Sequence, residues 1–259
     1  MHGLGNDYLY VYSNEEPKNA PELSVKLSER HFGAGSDGMI WILPSYKADF
    51  KMRIFNADGS EAKMCGNGIR CVGKYVFDKG YTDKTELEIE TLSGIKTLSL
   101  KTENGKVSSV SVGMGRAEVS ADKEISVCGK TVLCTPVSMG NPHAVIFTED
   151  ADNAPLTTLG AAIEKHETFP GGVNVEFVKV ISDTELRMRV WERGSGITMA
   201  CGTGACASVA AAVSKGFCKP DEDIAVKLDG GTLHIKISKN ADVTMNGPAE
   251  FIYEGETME

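Results

Sequence analysis

The chain has 259 residues, enough for one large domain or two of about 130 residues each. With 41% hydrophobic residues, 24% charged residues and a net charge of −9, it excludes disordered, fibrous and nucleic-acid-backbone-binding classes. No window approaches the ~18 consecutive apolar residues of a membrane span, the N-terminus lacks a signal-peptide pattern, and seven cysteines are an odd number. A cytoplasmic protein with reduced thiols is the expectation.

In chain order, an amphipathic helix is predicted after Pro21 (PELSVKLSERHF), followed by short strands at 39–43 (MIWIL) and 50–55 (FKMRIF). A glycine-bearing loop containing Cys65 leads into a helix near 67–79, and an alternating strand covers 97–101. The order then recurs. A helix follows Pro155 (PLTTLGAAIEKHETF), strands cover 175–180 (VEFVKV) and 186–191 (LRMRVW), Cys201 precedes a helix near 203–215, and HIKIS at 234–238 is the last counterpart. Both helices that follow a cysteine end in lysine and then glycine, which suits the negative C-terminus and the left-handed position beyond it. The second is apolar nearly all round (Ala205, Ala207, Val209, Ala210, Ala211, Ala212, Val213) and must be buried.

The recurrence is visible residue by residue at an offset of about 136. Gly5-Asn6 meets Gly140-Asn141, Met52-Arg53-Ile54-Phe55 meets Met188-Arg189-Val190-Trp191, and Cys65-Gly66-Asn67-Gly68 meets Cys201-Gly202-Thr203-Gly204. Lys79-Gly80 answers Lys215-Gly216. Two copies of one supersecondary unit follow, each rich in strands and wrapped round a buried helix. The expected fold is α/β in the α+β sense: two pseudo-symmetric domains, each a mainly antiparallel β barrel or roll around a central helix. The expected boundaries are 1–116 plus 249–259 for the first and 117–248 for the second, with a last strand after Pro248 returning to the first.

The chemistry centres on the two Cys-Gly-x-Gly turns. Each cysteine precedes a predicted helix N-terminus, where unpaired N–H groups and the dipole favour a thiolate. In a duplicated unit the two turns occupy equivalent places and are expected to face one cleft. Two acid/base groups on opposite sides of one carbon are what stereochemical inversion requires. Other motifs fail. Gly68–Tyr75 nearly spells a P-loop but lacks its Ser/Thr, and no zinc, serine-hydrolase or pyridoxal phosphate signature is present. Neither a cofactor nor a metal is expected.

HGLGNDY at 2–8, FNADGSEAKMCGNGIRC at 55–71, MGNPHAV at 139–145, GVNVEF at 172–177 and ERGSGITMACGTGACAS at 192–208 together resemble the diaminopimelate epimerase family. The Cys-Gly-x-Gly turns alone are shared with proline racemase-like enzymes; the flanking NADGSEA and Glu-Arg-Gly are what discriminate. The resemblance implies an isomerase that interconverts LL- and meso-diaminopimelate without a cofactor, for lysine and peptidoglycan synthesis. It implies Cys65 and Cys201 as the acid/base thiols. It implies substrate contacts from Asn6, Asn56, Gly66, Asn67, Asn141, Asn174, Glu192, Arg193, Gly202 and Thr203. His143 and Glu192 match positions that tune the thiols, and Tyr253 one at a homodimer interface. Arg193 is chemically suited to a bidentate grip on the distal carboxylate.

Three positions depart from the family pattern. Gly38 stands where many members have glutamine, Ile197 where glutamate is frequent, and members often begin with a short strand ahead of the HGLGND block. A racemase for a small imino acid and a redox protein that uses the two cysteines as a switch are the rival readings. Arg193 and the asparagines argue against the first, since an imino acid has no distal charge to hold.

Overall fold

The computed structural model describes residues 1–15 and 18–257. The chain divides into two compact units, Met1–Val112 with the chain from Gly247 onward, and Gly113–Asn246.

The first unit opens with β1 (His2–Gly3) and β2 (Asn6–Asp7), a small hairpin, followed by β3 (Leu9–Tyr12) and α1 (Ala20–Ser28). Then come β4 (Gly38–Leu43), β5 (Phe50–Asn56), β6 (Glu61–Ala62), α2 (Gly66–Asp78), β7 (Glu86–Thr91), β8 (Gly94–Glu103) and β9 (Lys106–Arg116). Strand β3 lies parallel to β4, β4 antiparallel to β5, and β5 parallel to β7. Strands β7, β8 and β9 continue antiparallel.

The second unit carries β10 (Glu118–Val119), β11 (Lys123–Val127), β12 (Lys130–Ser138) and β13 (Pro142–Phe147). A π-helical turn, Leu156–Gly160, runs into α3 (Ala161–Glu164), and β14 (Asn174–Ser182), β15 (Glu185–Glu192) and β16 (Gly196–Ile197) follow. Helix α4 (Gly202–Ser214) precedes β17 (Asp223–Leu228), β18 (Gly231–Ile237) and β19 (Asp242–Gly247). The ladder repeats the first: β13 parallel to β14, β14 antiparallel to β15, β15 parallel to β17, then β18 and β19 antiparallel. Among the described residues no closed barrel forms. Helix α4 packs against β12, β13, β14, β15, β17 and β18, so its apolar circumference finds partners on every side.

Strand β4 is buried along its whole length, which is why it reads as an unbroken apolar run. The helix predicted after Pro21 ends at Ser28, because Glu29 turns extended. The helix predicted after Pro155 is shorter and begins as a wide turn. Gly160 sits so close to Trp191 that an added Cβ would come within 2.9 Å of the Trp191 Cβ. After Pro248 the chain forms an antiparallel bridge between Glu250 and His2 rather than the strand expected there.

Candidate active site

The second unit assembles a polar cluster on the sheet face turned toward the start of α4. In the β13–β14 ladder His143 stands opposite Asn174, and Glu176, two residues on, shares the face of Asn174. Val190 is the ladder partner of Glu176, so Glu192 lies on that face as well. Cys201 is the N-cap of α4, in extended conformation, and its Sγ accepts the Gly204 N–H at 3.4 Å. The Thr203 hydroxyl lies 3.7 Å from the same sulfur.

A hydrogen-bonded chain leads away from this hydroxyl. Asn141 Nδ2 donates to Thr203 Oγ1 at 3.2 Å, and Asn141 Oδ1 lies 3.2 Å from His143 Nε2. His143 Nδ1 is 2.6 Å from Glu176 Oε1, and both side chains are sealed from solvent. A cavity of about 250 Å³ opens beside Asn141 and His143, floored by Val137 and Phe169. Glu192 accepts the Thr198 hydroxyl. Burial raises the Glu192 carboxyl above its ordinary range, while Thr198 and the Cys201 thiol pull part way back. Burial also pushes the Cys201 thiol well up, and the carboxylates of Glu192 and Glu176 add to the rise. The Gly204 N–H and Thr203 hydroxyl oppose it.

The loop carrying Arg193 is fixed from beneath. Asn174 donates from Nδ2 to Pro142 O at 3.0 Å and accepts the Arg193 backbone N–H on Oδ1 at 3.0 Å. The Arg193 guanidinium is exposed and donates to Gly171 O at 3.1 Å.

The first unit builds a related but less charged cluster. Cys65 caps α2, its Sγ accepting the Gly68 N–H at 3.3 Å while the thiol donates to Asn6 Oδ1 at 3.4 Å. Asn6 in turn donates to Asp37 Oδ2 at 2.7 Å. Asn56 accepts from the Tyr8 hydroxyl at 3.3 Å and donates to Ser60 Oγ at 3.0 Å. Gly66 and Asn67 are buried in the first turn of α2, as Gly202 is in that of α4. Arg70, fully buried, ties this turn down by donating to Gly66 O at 3.0 Å and Pro248 O at 3.1 Å. Tyr253 is exposed on the segment beyond β19.

Two of the departures have structural consequences. Gly38 has φ +153°, and an added Cβ would lie 2.2 Å from Phe55 O, so the backbone there admits no side chain. Ile197, paired with Trp191, is exposed and brings no carboxylate. Sequence reasoning did not single out Glu176, Thr198, Asp37 or Glu164 as site residues. Glu176 stands inside the quoted GVNVEF block, where a lone acid within an apolar strand was the available signal.

The sequence model of the family described as diaminopimelate epimerase matches residues 1–120 and 135–252. The chain is 52% identical to the diaminopimelate epimerase of Acetivibrio thermocellus over 99% of its length and 96% of the relative's. It is 48% identical to that of Bacillus subtilis, covering 98% and 96%. Among solved structures it resembles a hydroxyproline epimerase from Agrobacterium vitis (TM-score 0.71, 20% identity, 93% of this chain and 80% of that one). A phenazine biosynthesis protein of the PhzF family from Bacillus anthracis gives TM-score 0.73 at 15% identity, covering 95% and 90%. These two likenesses concern the fold.

Proposed function

The chain belongs to the diaminopimelate epimerase family, and we propose that it interconverts LL- and meso-diaminopimelate with two cysteines, one removing the α-proton and the other delivering a different proton to the opposite face, without a cofactor. One observation carries the reading. Each unit places a cysteine at the N-cap of its buried helix, with the sulfur already accepting a backbone N–H from the first turn. An N-cap thiol is positioned to share a helix terminus with an anionic substrate group.

In the proposed reaction one thiolate removes the α-hydrogen and becomes a thiol. The electron pair of the broken C–H bond is left on the α-carbon and delocalised into its carboxylate. The other thiol then gives its proton to the opposite face and becomes the thiolate. The enzyme ends with the two cysteines exchanged in protonation, ready for the reverse isomer. The backbone N–H groups of Gly66-Asn67 and Gly202-Thr203 hold the reacting carboxylate and stabilise charge as it develops. Asn6, Asn56, Asn141, Asn174 and Glu192 hold the polar groups of the substrate, and the exposed guanidinium of Arg193 grips the distal carboxylate. The product enters lysine and peptidoglycan precursor synthesis in the cytoplasm, and Tyr253 belongs to the interface of a homodimer.

The test is turnover of LL-diaminopimelate by the reduced protein. The reading expects conversion to the meso isomer without added cofactor, lost in both Cys65→Ala and Cys201→Ala. Retention of full activity by either variant overturns it.

A further inference from the structure

Asp37 is the point at which the Asn6 and Asn56 segments of the first unit meet. Its backbone N–H donates to Asp7 O at 2.8 Å, and its carbonyl accepts the Ala57 N–H at 2.9 Å. Its side chain turns back to the first segment, where Oδ2 accepts the Asp7 N–H at 3.1 Å and Asn6 Nδ2 at 2.7 Å. The backbone on either side of Asp37 is tied down by Ser36. The buried Ser36 hydroxyl takes the Gly38 N–H at 3.3 Å and lies 3.0 Å from the Ser28 hydroxyl of α1.

The Asp37 contact decides which end of the Asn6 carboxamide faces the Cys65 turn. An oxygen that already takes a backbone N–H is acting as an acceptor, so the Asn6 atom against it is the amide nitrogen. This holds whatever the charge on Asp37. The carbonyl end is then left for Cys65, whose thiol donates to it at 3.4 Å. A carbonyl oxygen accepts twice, so Oδ1 keeps a lone pair after the thiol has used one. In the proposed reaction the reacting carbon carries an ammonium group, a donor, which an oxygen at that place holds and an amide nitrogen does not.

The second unit lacks this arrangement. Strand β14 begins at Asn174 as β4 begins at Gly38, and the residue ahead of it is Val173, fully buried and apolar. Asn141, the counterpart of Asn6, is held instead by Thr203 and His143. Its Nδ2 is the end that points to the start of α4, donating to Thr203 Oγ1 at 3.2 Å. Equivalent asparagines thus offer opposite ends of the carboxamide to the starts of their helices.

We propose that Asp37 is a positioning residue: it holds the Asn6 carboxamide with its carbonyl toward the Cys65 turn, so that Asn6 meets the substrate as an acceptor. The orientation stands on the hydrogen bonds alone. Its consequence for turnover rests on the diaminopimelate reading and deepens it, because it says which atom of Asn6 the substrate meets and which residue sets that choice.

The experiment has a spectroscopic and a kinetic arm, both on the full-length protein. Nuclear magnetic resonance with isotope-labelled asparagine resolves the side-chain NH2 signals, and that of Asn6 is assigned by its absence in Asn6→Ala. The proposal expects one Asn6 amide proton to lie downfield and exchange slowly in the native protein. That signature is lost in Asp37→Ala and kept in Asp37→Asn, whose own carbonyl takes the same two N–H groups, while the Asn174 side-chain signal stays in place. An unchanged Asn6 signal in Asp37→Ala overturns the proposal, as does an equal loss in Asp37→Asn. In the kinetic arm, Asp37→Ala lowers kcat/KM on LL-diaminopimelate about 10-fold in the native background. In an Asn6→Ala background it changes kcat/KM by less than about 2-fold, because a residue acting through Asn6 has nothing left to position. Equal falls in both backgrounds would make Asp37 a general support of the fold and overturn the proposal. A native protein inactive on diaminopimelate would overturn the function, and the Asn6 signal would still decide the orientation.

Discussion

The indole of Trp191 donates to the Glu164 carboxylate at 2.7 Å, and the other oxygen of that carboxylate accepts the Gly194 N–H at 3.0 Å. One side chain thus clamps both ends of the turn that carries Glu192 and Arg193. The Trp191 bond and the Gly194 N–H hold the Glu164 carboxyl below its ordinary value. A depressed carboxylate contributes stability above its unfolded pKa, and the contribution is lost as pH falls through the folded one. Glu164→Gln is expected to cost about 1–3 kcal/mol at pH 7, because one amide cannot accept from both donors. The deficit should shrink below the ordinary glutamate pKa near 4.5. Urea titrations at pH 7 and at low pH measure both; a deficit that stays constant across that range contradicts the clamp.

Gly38 is a backbone requirement. Its positive φ and the closeness of Phe55 O predict that both Gly38→Ala and Gly38→Gln destabilise the first unit, by about 2 kcal/mol or more. Thermal unfolding decides this. A glutamine variant as stable as the native protein would mean that the backbone at β4 relaxes, contrary to the packing described.

Arg70 is the largest fully buried side chain among the described residues and bonds two carbonyls, Gly66 O four residues away and Pro248 O 178 residues away. Arg70→Met keeps much of the volume and leaves Gly66 O and Pro248 O without those donors. The expected loss is about 3 kcal/mol by denaturant unfolding, together with faster alkylation of Cys65 as the α2 turn loosens. A variant with native stability would remove Arg70 from that role.

Arg193 tests the distal grip. Its guanidinium has a single protein partner among the described hydrogen bonds, Gly171 O, while its backbone N–H is held by Asn174. Arg193→Ala should therefore leave the loop in place and lower kcat/KM on diaminopimelate by the equivalent of about 2–5 kcal/mol. Steady-state kinetics beside an unchanged circular-dichroism spectrum is the measurement, and near-native kcat/KM would assign the distal carboxylate to another group.

Much of this architecture was legible before the structure. The Cys-Gly-x-Gly turns announced two helix starts, and Lys79-Gly80 and Lys215-Gly216 announced their ends: both glycines have φ near +75°. Alternation located β5, β15 and β18, and the apolar circumference of α4 foretold its central place. What the sequence hid were relations set by register. Glu176 looks like one acid in an apolar strand until the parallel ladder with β13 brings it to His143. Gly160 looks like an ordinary helical glycine until Trp191 packs so close that an added Cβ would come within 2.9 Å of it. Gly38 looked like a lost contact; the structure makes it a steric necessity.

The central claim, that two thiols act from opposite faces, is tested most directly by isotope incorporation. The reduced enzyme is given LL-diaminopimelate in deuterated water, and product and recovered substrate are analysed at early times. If the group that removes the α-hydrogen is not the group that replaces it, meso product carries deuterium at the inverted carbon while recovered substrate stays largely unlabelled. Product that retains the substrate's own hydrogen would mean a single base serving both faces, and would contradict the account.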